Sequence, residues 1–354
     1  MMMSQKRSLG GLLVIMLSTV VLVICLLSVD LFQFTIAPYF FLSSKNSCQQ
    51  DDQCWMKNYN IETNYGCNEF KEMKKTWAKV AHGNQRDVFC AEFDRRKVVI
   101  KTLNGKHKSK KFKEAIHLEA IALSLLRNAT NIVQLEGICH SDMAVEWLPV
   151  DLEKLPHHEL NENQRILIAM SMAEGLAQLH AVPHGPFLHH DLRLRQWMLN
   201  SEGVVKLGDL NAGWFLQRNN QGKLRIKKGR RQTGSWRAPE EYLDLPLSEK
   251  ADIYVLGLSI WALLAGGKKT LYTPDQLAGR TIPEFVTGGG QPLLTDGKAG
   301  KWPVQVRDVL QRCWAEQPAL RPTAAQVAAV FQVIVKERGL GDSDRYRPSP
   351  AVAI

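Results

Sequence analysis

Two aspartates stand eighteen residues apart in the second half of the chain: Asp191 in His-His-Asp-Leu-Arg-Leu-Arg-Gln (189–196), and Asp209 in Lys-Leu-Gly-Asp-Leu-Asn (206–211). A loop carboxylate can accept a hydroxyl proton or hold a hard cation through oxygen, and a guanidinium such as Arg193 can neutralise a developing anion. Upstream, Val98-Val-Ile-Lys101 carries an ammonium on a β-branched run, and Glu119 follows eighteen residues later. An ammonium that must be steered onto phosphate oxygens needs a carboxylate behind it to hold it in place. Glu119 and Glu114 are both candidates for that carboxylate, and either could instead be a solvated helix face.

These groups need elements to position them. From Thr76 to Leu103, the runs VFCAEF and KVVIKTL are rich in β-branched and aromatic residues with turn residues between them, which predicts antiparallel strands. Phe112 to Leu126 places Ile116, Ala120, Leu123 and Leu126 at helical spacing, so one helix interrupts the strands. Ile132 to Ile138 and Ala144 to Leu148 resume strand character, and beyond Asn163 the pattern turns helical at 165–179, 251–264, 304–314 and 324–336. A small β-rich lobe followed by a larger helical one is an α+β arrangement, with a cleft expected at the junction near Glu146.

Taken in order from Val80 to Lys336, these blocks resemble the protein kinase superfamily. The resemblance implies a bilobal fold that transfers the γ-phosphoryl group of ATP, with magnesium, or alternatively manganese, as the cation. It assigns Lys101 to the nucleotide phosphates, Glu119 to Lys101, and Asp191 to the acceptor hydroxyl. Arg193 is assigned to the transferring charge, Asp209 and Gln196 to the metal, and Gly83 and Glu146 to the nucleotide site. His189 reads as a packed histidine that holds the loop. Ala238-Pro-Glu240, Asp252 and Arg321 resemble the family's structural anchors, with Arg321 paired to Glu240. Thr233 sits where serine/threonine enzymes keep a threonine that bonds the catalytic aspartate.

The sequence departs from the family at several of these places. Ala81, Gly83 and Arg86 stand where three glycines are expected, so one remains, and Arg86 either reaches a phosphate or blocks the loop tip. Gln196 replaces asparagine but keeps an amide oxygen. Asp-Leu-Asn (209–211) replaces Asp-Phe-Gly, with Asn211 expected to tolerate positive φ. His190 replaces an arginine that would bind an activation-loop phosphate. Two rival functions follow: a pseudokinase scaffold, motivated by the eroded loop, and a kinase of glycans or other non-protein hydroxyls.

A formal net charge of +10 invites a nucleic-acid reading, but the excess lies in two short runs, 106–113 and 223–231, without interleaved stacking aromatics. No nucleic-acid partner is expected; the runs are solvated loops or a dock for an acidic protein substrate.

Gly10 to Val29 carries no charge over twenty residues, long enough to cross a bilayer. The reading is a retained signal anchor, with a cleaved signal as the rival. Lys6 and Arg7 before it predict a type II single-pass protein with the kinase domain lumenal or extracellular. The expected organisation is a cytosolic terminus 1–9, a membrane anchor 10–29, a stem 30–70, a small lobe 71–150, a helical lobe 151–338 and a flexible tail 339–354. Cys48, Cys54, Cys67 and Cys90 are expected to form disulfides, and Cys139 and Cys313 to be buried thiols. No zinc-ligand spacing is present.

Overall fold

Alternation over 86–103 buries Ala91, Val98 and Ile100 on one face and leaves Lys101 on the other, the period-2 pattern of a sheet with one apolar side. The computed structural model describes residues 61–83, 86–105, 110–183, 185–216, 227–228, 233–294 and 302–349. It opens with α1 (Cys67–Met73), followed by β1 (Ala78–His82), β2 (Arg86–Phe93) and β3 (Arg96–Leu103). Then come α2 (Lys110–Leu125), β4 (Leu135–Cys139) and β5 (Asp142–Glu146). The five strands form one antiparallel sheet in the order β1-β2-β3-β5-β4. Asp94 and Arg95, both left-handed, make the two-residue turn from β2 to β3.

The stem expected over 30–70 does not extend to residue 70. Tyr65, Phe70 and Met73 are buried against Ala91, Val98, Ile100 and Ala144, so α1 and the residues before it complete the sheet's core. The Tyr65 N–H donates to the Glu136 carbonyl at 2.9 Å, laying this segment along β4. Cys67 is disulfide-bonded to Cys139, which corrects the expectation of a free Cys139 thiol, because the end of β4 lies against the start of α1. Cys90 is a free thiol, as is the buried Cys313; Cys48 and Cys54 lie outside the described residues.

The second lobe contains β6 (Val150–Asp151), α3 (Glu162–His180), β7 (Phe187–Leu188), β8 (Trp197–Leu199), β9 (Val205–Leu207) and β10 (Trp214–Phe215). Its later helices are α4 (Pro239–Tyr242), α5 (Lys250–Leu264), α6 (Val304–Cys313) and α7 (Ala324–Glu337), with short helical turns between α5 and α6. α3 begins at a capping box in which Asn161 and Gln164 exchange side-chain and backbone hydrogen bonds, and Thr323 and Gln326 do the same for α7. Ala251 through Leu264 are all buried, so α5 is the central helix of this lobe rather than an amphipathic one. The β8–β9 hairpin and the antiparallel pair of β7 with β10 flank the loops described below.

The membrane assignment needs correction. Among the described residues no helix is long and apolar enough to cross a membrane. The longest, α3, carries Glu162, Arg165 and Glu174 and packs within the lobe. Gly10–Val29 lies outside the described residues, so the type II lumenal placement is withdrawn. Within the expected tail, Tyr346 is buried and its hydroxyl donates to Glu159 at 3.0 Å, so the described residues 340–346 are held to the lobe. The basic runs lie largely outside the described residues.

One ion pair shows what holds the lobe's lower half. Arg321, with a fully buried side chain, donates to both oxygens of Glu240 at 2.6 and 2.8 Å. Glu240→Ala should destabilise the fold by about 3–5 kcal/mol by leaving a buried guanidinium uncompensated. Glu162→Ala, at the exposed pair with Arg338, should cost about 1 kcal/mol or less. Denaturant unfolding of the two variants checks this; equal losses would contradict it.

Candidate active site

Lys101 leaves β3 on the side opposite Ile100, and its ammonium donates to Glu119 at 3.1 Å and to Asp209 at 3.3 Å. Glu119 projects from α2 with a fully buried side chain, whereas Glu114 is exposed, so Glu119 is the partner. The second oxygen of Glu119 accepts from Arg86 Nη1 at 2.5 Å. Burial disfavours the charge on Glu119, yet Arg86 and Lys101 together hold its carboxyl below the ordinary value. Burial likewise works against the Lys101 ammonium, but Glu119 and Asp209 raise its pKa.

Asp209 follows β9 and adopts a left-handed backbone, φ 60° and ψ 57°. Desolvation opposes its charge, and Lys101 and Arg86 outweigh that to keep the carboxyl low. Positive φ thus falls on Asp209 and not on Asn211, where it was expected. Asn211 instead uses its amide to donate to Asp209 Oδ1 at 2.9 Å. Leu210 is buried and fills the packing position.

The loop after β7 is anchored from below. The backbone N–H groups of His189 and His190 donate to Asp252 at 2.7 and 3.0 Å, and His180 Nε2 meets the same carboxylate at 3.0 Å. His189 is fully buried, with Nε2 3.0 Å from the Gly208 carbonyl and Nδ1 accepting from the Asp191 N–H at 3.3 Å. These partners require the proton on Nε2. One histidine therefore ties the Asp191 loop to the Asp209 loop. The Gly208 N–H also donates to the Gln196 carbonyl at 3.0 Å, a second tie between the two loops.

Asp191 accepts from Arg193 at 2.7 Å, from Gln196 Nε2 at 3.2 Å and from Arg237 at 3.2 Å. Burial raises its pKa, but the Arg193 hydrogen bond and the two guanidinium charges bring it below the usual aspartate value. Arg237 is the residue that sequence reasoning missed; it lies immediately before Ala238, and nothing in its spacing to Asp191 announces the contact. Thr233, expected at this carboxylate, is exposed. Glu146 ends β5, and its carboxylate accepts from Lys206 at 2.7 and 2.9 Å and from the Gln134 N–H at 2.7 Å. Gly83 lies in the β1–β2 turn, where its N–H donates to the Arg86 carbonyl at 2.8 Å. The structure thus gathers Lys101, Glu119 and Asp209 into one cluster and Asp191, Arg193 and Gln196 into an adjoining one. Ammonium and guanidinium donors beside carboxylates suit a polyanionic ligand carried with a hard cation.

Beneath Asp191 a second acid is held differently. Glu241 is pushed up to about 7 by burial, despite Arg237 and the Ala238 N–H that it accepts at 2.7 Å. His190, 3.4 Å from it, is lowered to about 4 by burial and by the Arg237 charge. The folded chain holds the Glu241 proton between its ordinary 4.5 and about 7, so its stabilising share is complete below 4.5 and lost as pH rises to 7. Glu241→Gln should therefore gain stability relative to the parent as pH rises from 5 to 8, by at most about 3 kcal/mol. Melting curves at pH 5, 6.5 and 8 check this; a gap that narrows with pH would contradict it.

Comparison with known proteins agrees with this geometry. Residues 73–331 match the family described as protein tyrosine and serine/threonine kinase. Over 280 residues the chain is 25% identical to the serine/threonine-protein kinase STY17 of Arabidopsis thaliana, covering 76% of this chain and 45% of that protein. It is 24% identical to the serine/threonine/tyrosine-protein kinase HT1 of the same plant, covering 72% and 64%. Mitogen-activated protein kinase kinase kinase 7 of Drosophila melanogaster is 25% identical, covering 73% and 37%. The chain spans less than two thirds of each of these relatives. With three quarters of its length matched in family order and the expected ion pairs formed, the chain belongs to the protein tyrosine and serine/threonine kinase family.

Proposed function

We propose that this chain transfers the γ-phosphoryl group of ATP to a serine or threonine hydroxyl of a protein. The observation that carries the reading is the Lys101 ammonium held between Glu119 and Asp209 at 3.1 and 3.3 Å. A scaffold has no chemical need for that arrangement, whereas a phosphate-holding site does.

The donor set fits a nucleotide with magnesium. Arg193 Nε and Arg86 Nε and Nη2 are buried N–H donors without an acceptor, as expected where a polyanion completes the site. Asp209 and the amide oxygen of Gln196 would hold the cation, hard oxygen to hard metal, and the backbone bond from Gly208 to Gln196 keeps their loops adjacent. Bound magnesium supplies charge neutralisation at the phosphates.

Lys101 orients the phosphates, with Glu119 preventing its ammonium from swinging away. Asp191 aims the acceptor hydroxyl and takes its proton late, since a carboxylate held below the usual aspartate value is a weak base. Arg193, resting on Asp191, is placed to turn toward the transferring phosphoryl group as charge develops. The choice of serine or threonine rests on the names of the relatives, because Thr233 does not bond Asp191.

The test is phosphate transfer from ATP by the full chain to a mixed protein acceptor, with magnesium and then manganese. Asp191→Asn and Asp209→Asn should each lower the rate by about a hundredfold or more. Phosphoamino-acid analysis should return phosphoserine or phosphothreonine. A folded parent that transfers nothing in either metal would overturn the reading.

A further inference from the structure

Arg86 begins β2, and its side chain turns inward rather than to solvent. It is 4% exposed. Nη1 binds Glu119 Oε2 at 2.5 Å, while Nε and Nη2 are buried with no acceptor. Leaving two guanidinium nitrogens unsatisfied away from water is costly, so the geometry is complete only with an anion present. Glu119 does not supply it, since its other oxygen is engaged by Lys101.

The β1–β2 turn explains why a side chain is needed there. The Gly83 N–H is spent on the Arg86 carbonyl at 2.8 Å, and a Cβ at residue 83 would lie 2.8 Å from that same oxygen. This amide therefore closes the turn and is not offered to a ligand. Arg86 and Lys101 bind the two oxygens of one carboxylate, at 2.5 and 3.1 Å, which places the guanidinium at the same locus as the phosphate-orienting ammonium.

We infer that Arg86 is a second phosphate-binding cation of this site, its free Nε and Nη2 donating to nucleotide phosphate oxygens in place of loop amides. Glu119 then positions two cations instead of one, and nucleotide affinity is carried by side chains more than by a glycine-rich backbone. The inference rests on the nucleotide reading of the site given above.

Calorimetric titration of the full chain with ADP and, separately, with adenosine tests it, using the parent, Arg86→Met and Arg86→Lys. Arg86→Met should weaken ADP about ten- to hundredfold while leaving adenosine within about twofold. Arg86→Lys keeps the charge and the Glu119 pair but loses the planar donors, and should fall between them, which keeps the test open if the methionine variant does not fold. ADP binding that is unchanged or tighter in both variants would show that Arg86 packs the turn or obstructs the site, and would overturn the inference while the nucleotide reading stands. Parallel loss of ADP and adenosine would reduce it to a structural residue. A parent that binds neither would overturn the nucleotide reading itself.

Discussion

Four ionised groups, Arg86, Lys101, Glu119 and Asp209, share one small volume between the sheet and the loop that follows β9. None could be held there alone, because an unpaired charge removed from water costs several kcal/mol. Each pairing therefore constrains the others. Glu119 ties α2 to β3 through Lys101, and Asp209 brings a loop of the second lobe to the same ammonium. The mutual pairing holds both carboxyls below their ordinary values although burial opposes the charge.

The same rule sets the loop that carries Asp191. Asp252 is tolerable inside α5 because it accepts two backbone N–H groups and His180, and those N–H groups belong to the residues immediately before Asp191. His189 then links that loop to Gly208 through its two ring nitrogens. Loop geometry, usually the least constrained part of a fold, is here set by a buried carboxylate and one histidine tautomer.

The departures from the family pattern have local physical accounts. Asn211 donates to the carboxylate that it follows, which a glycine could not do. Leu210 supplies apolar bulk in the place of phenylalanine. His190, neutral at ordinary pH, stands beside Glu241, whose carboxyl is raised to about 7, so this corner carries less charge than an arginine there would give it. The carbonyl of His190 is bound by Arg237, which also reaches Asp191. The residues just before α4 and the loop that carries Asp191 are thus joined by Arg237.

Much of this was legible from local pattern. Strand alternation over 86–103, helical spacing over 112–126 and the ordered blocks around Lys101, Asp191 and Asp209 determined the element order and the family, because periodicity and loop chemistry act over a few residues. Gly10–Val29 was legible only as an apolar run. The long-range pairs Lys101–Glu119 and Glu240–Arg321 came with the family pattern; what tertiary structure decided was the contacts between distant segments that this pattern does not carry. Cys67 pairs with Cys139 across 72 residues because α1 packs on β4. Tyr65, Phe70 and Tyr346 are core residues because remote surfaces cover them. Thr233 is exposed while Arg237 takes the place at Asp191. Arg86 points inward to Glu119, where the sequence left a phosphate contact and an obstruction equally open. The reason is the same in each case: a side chain's partner is set by which surfaces must be buried together, and that is a property of the packed whole.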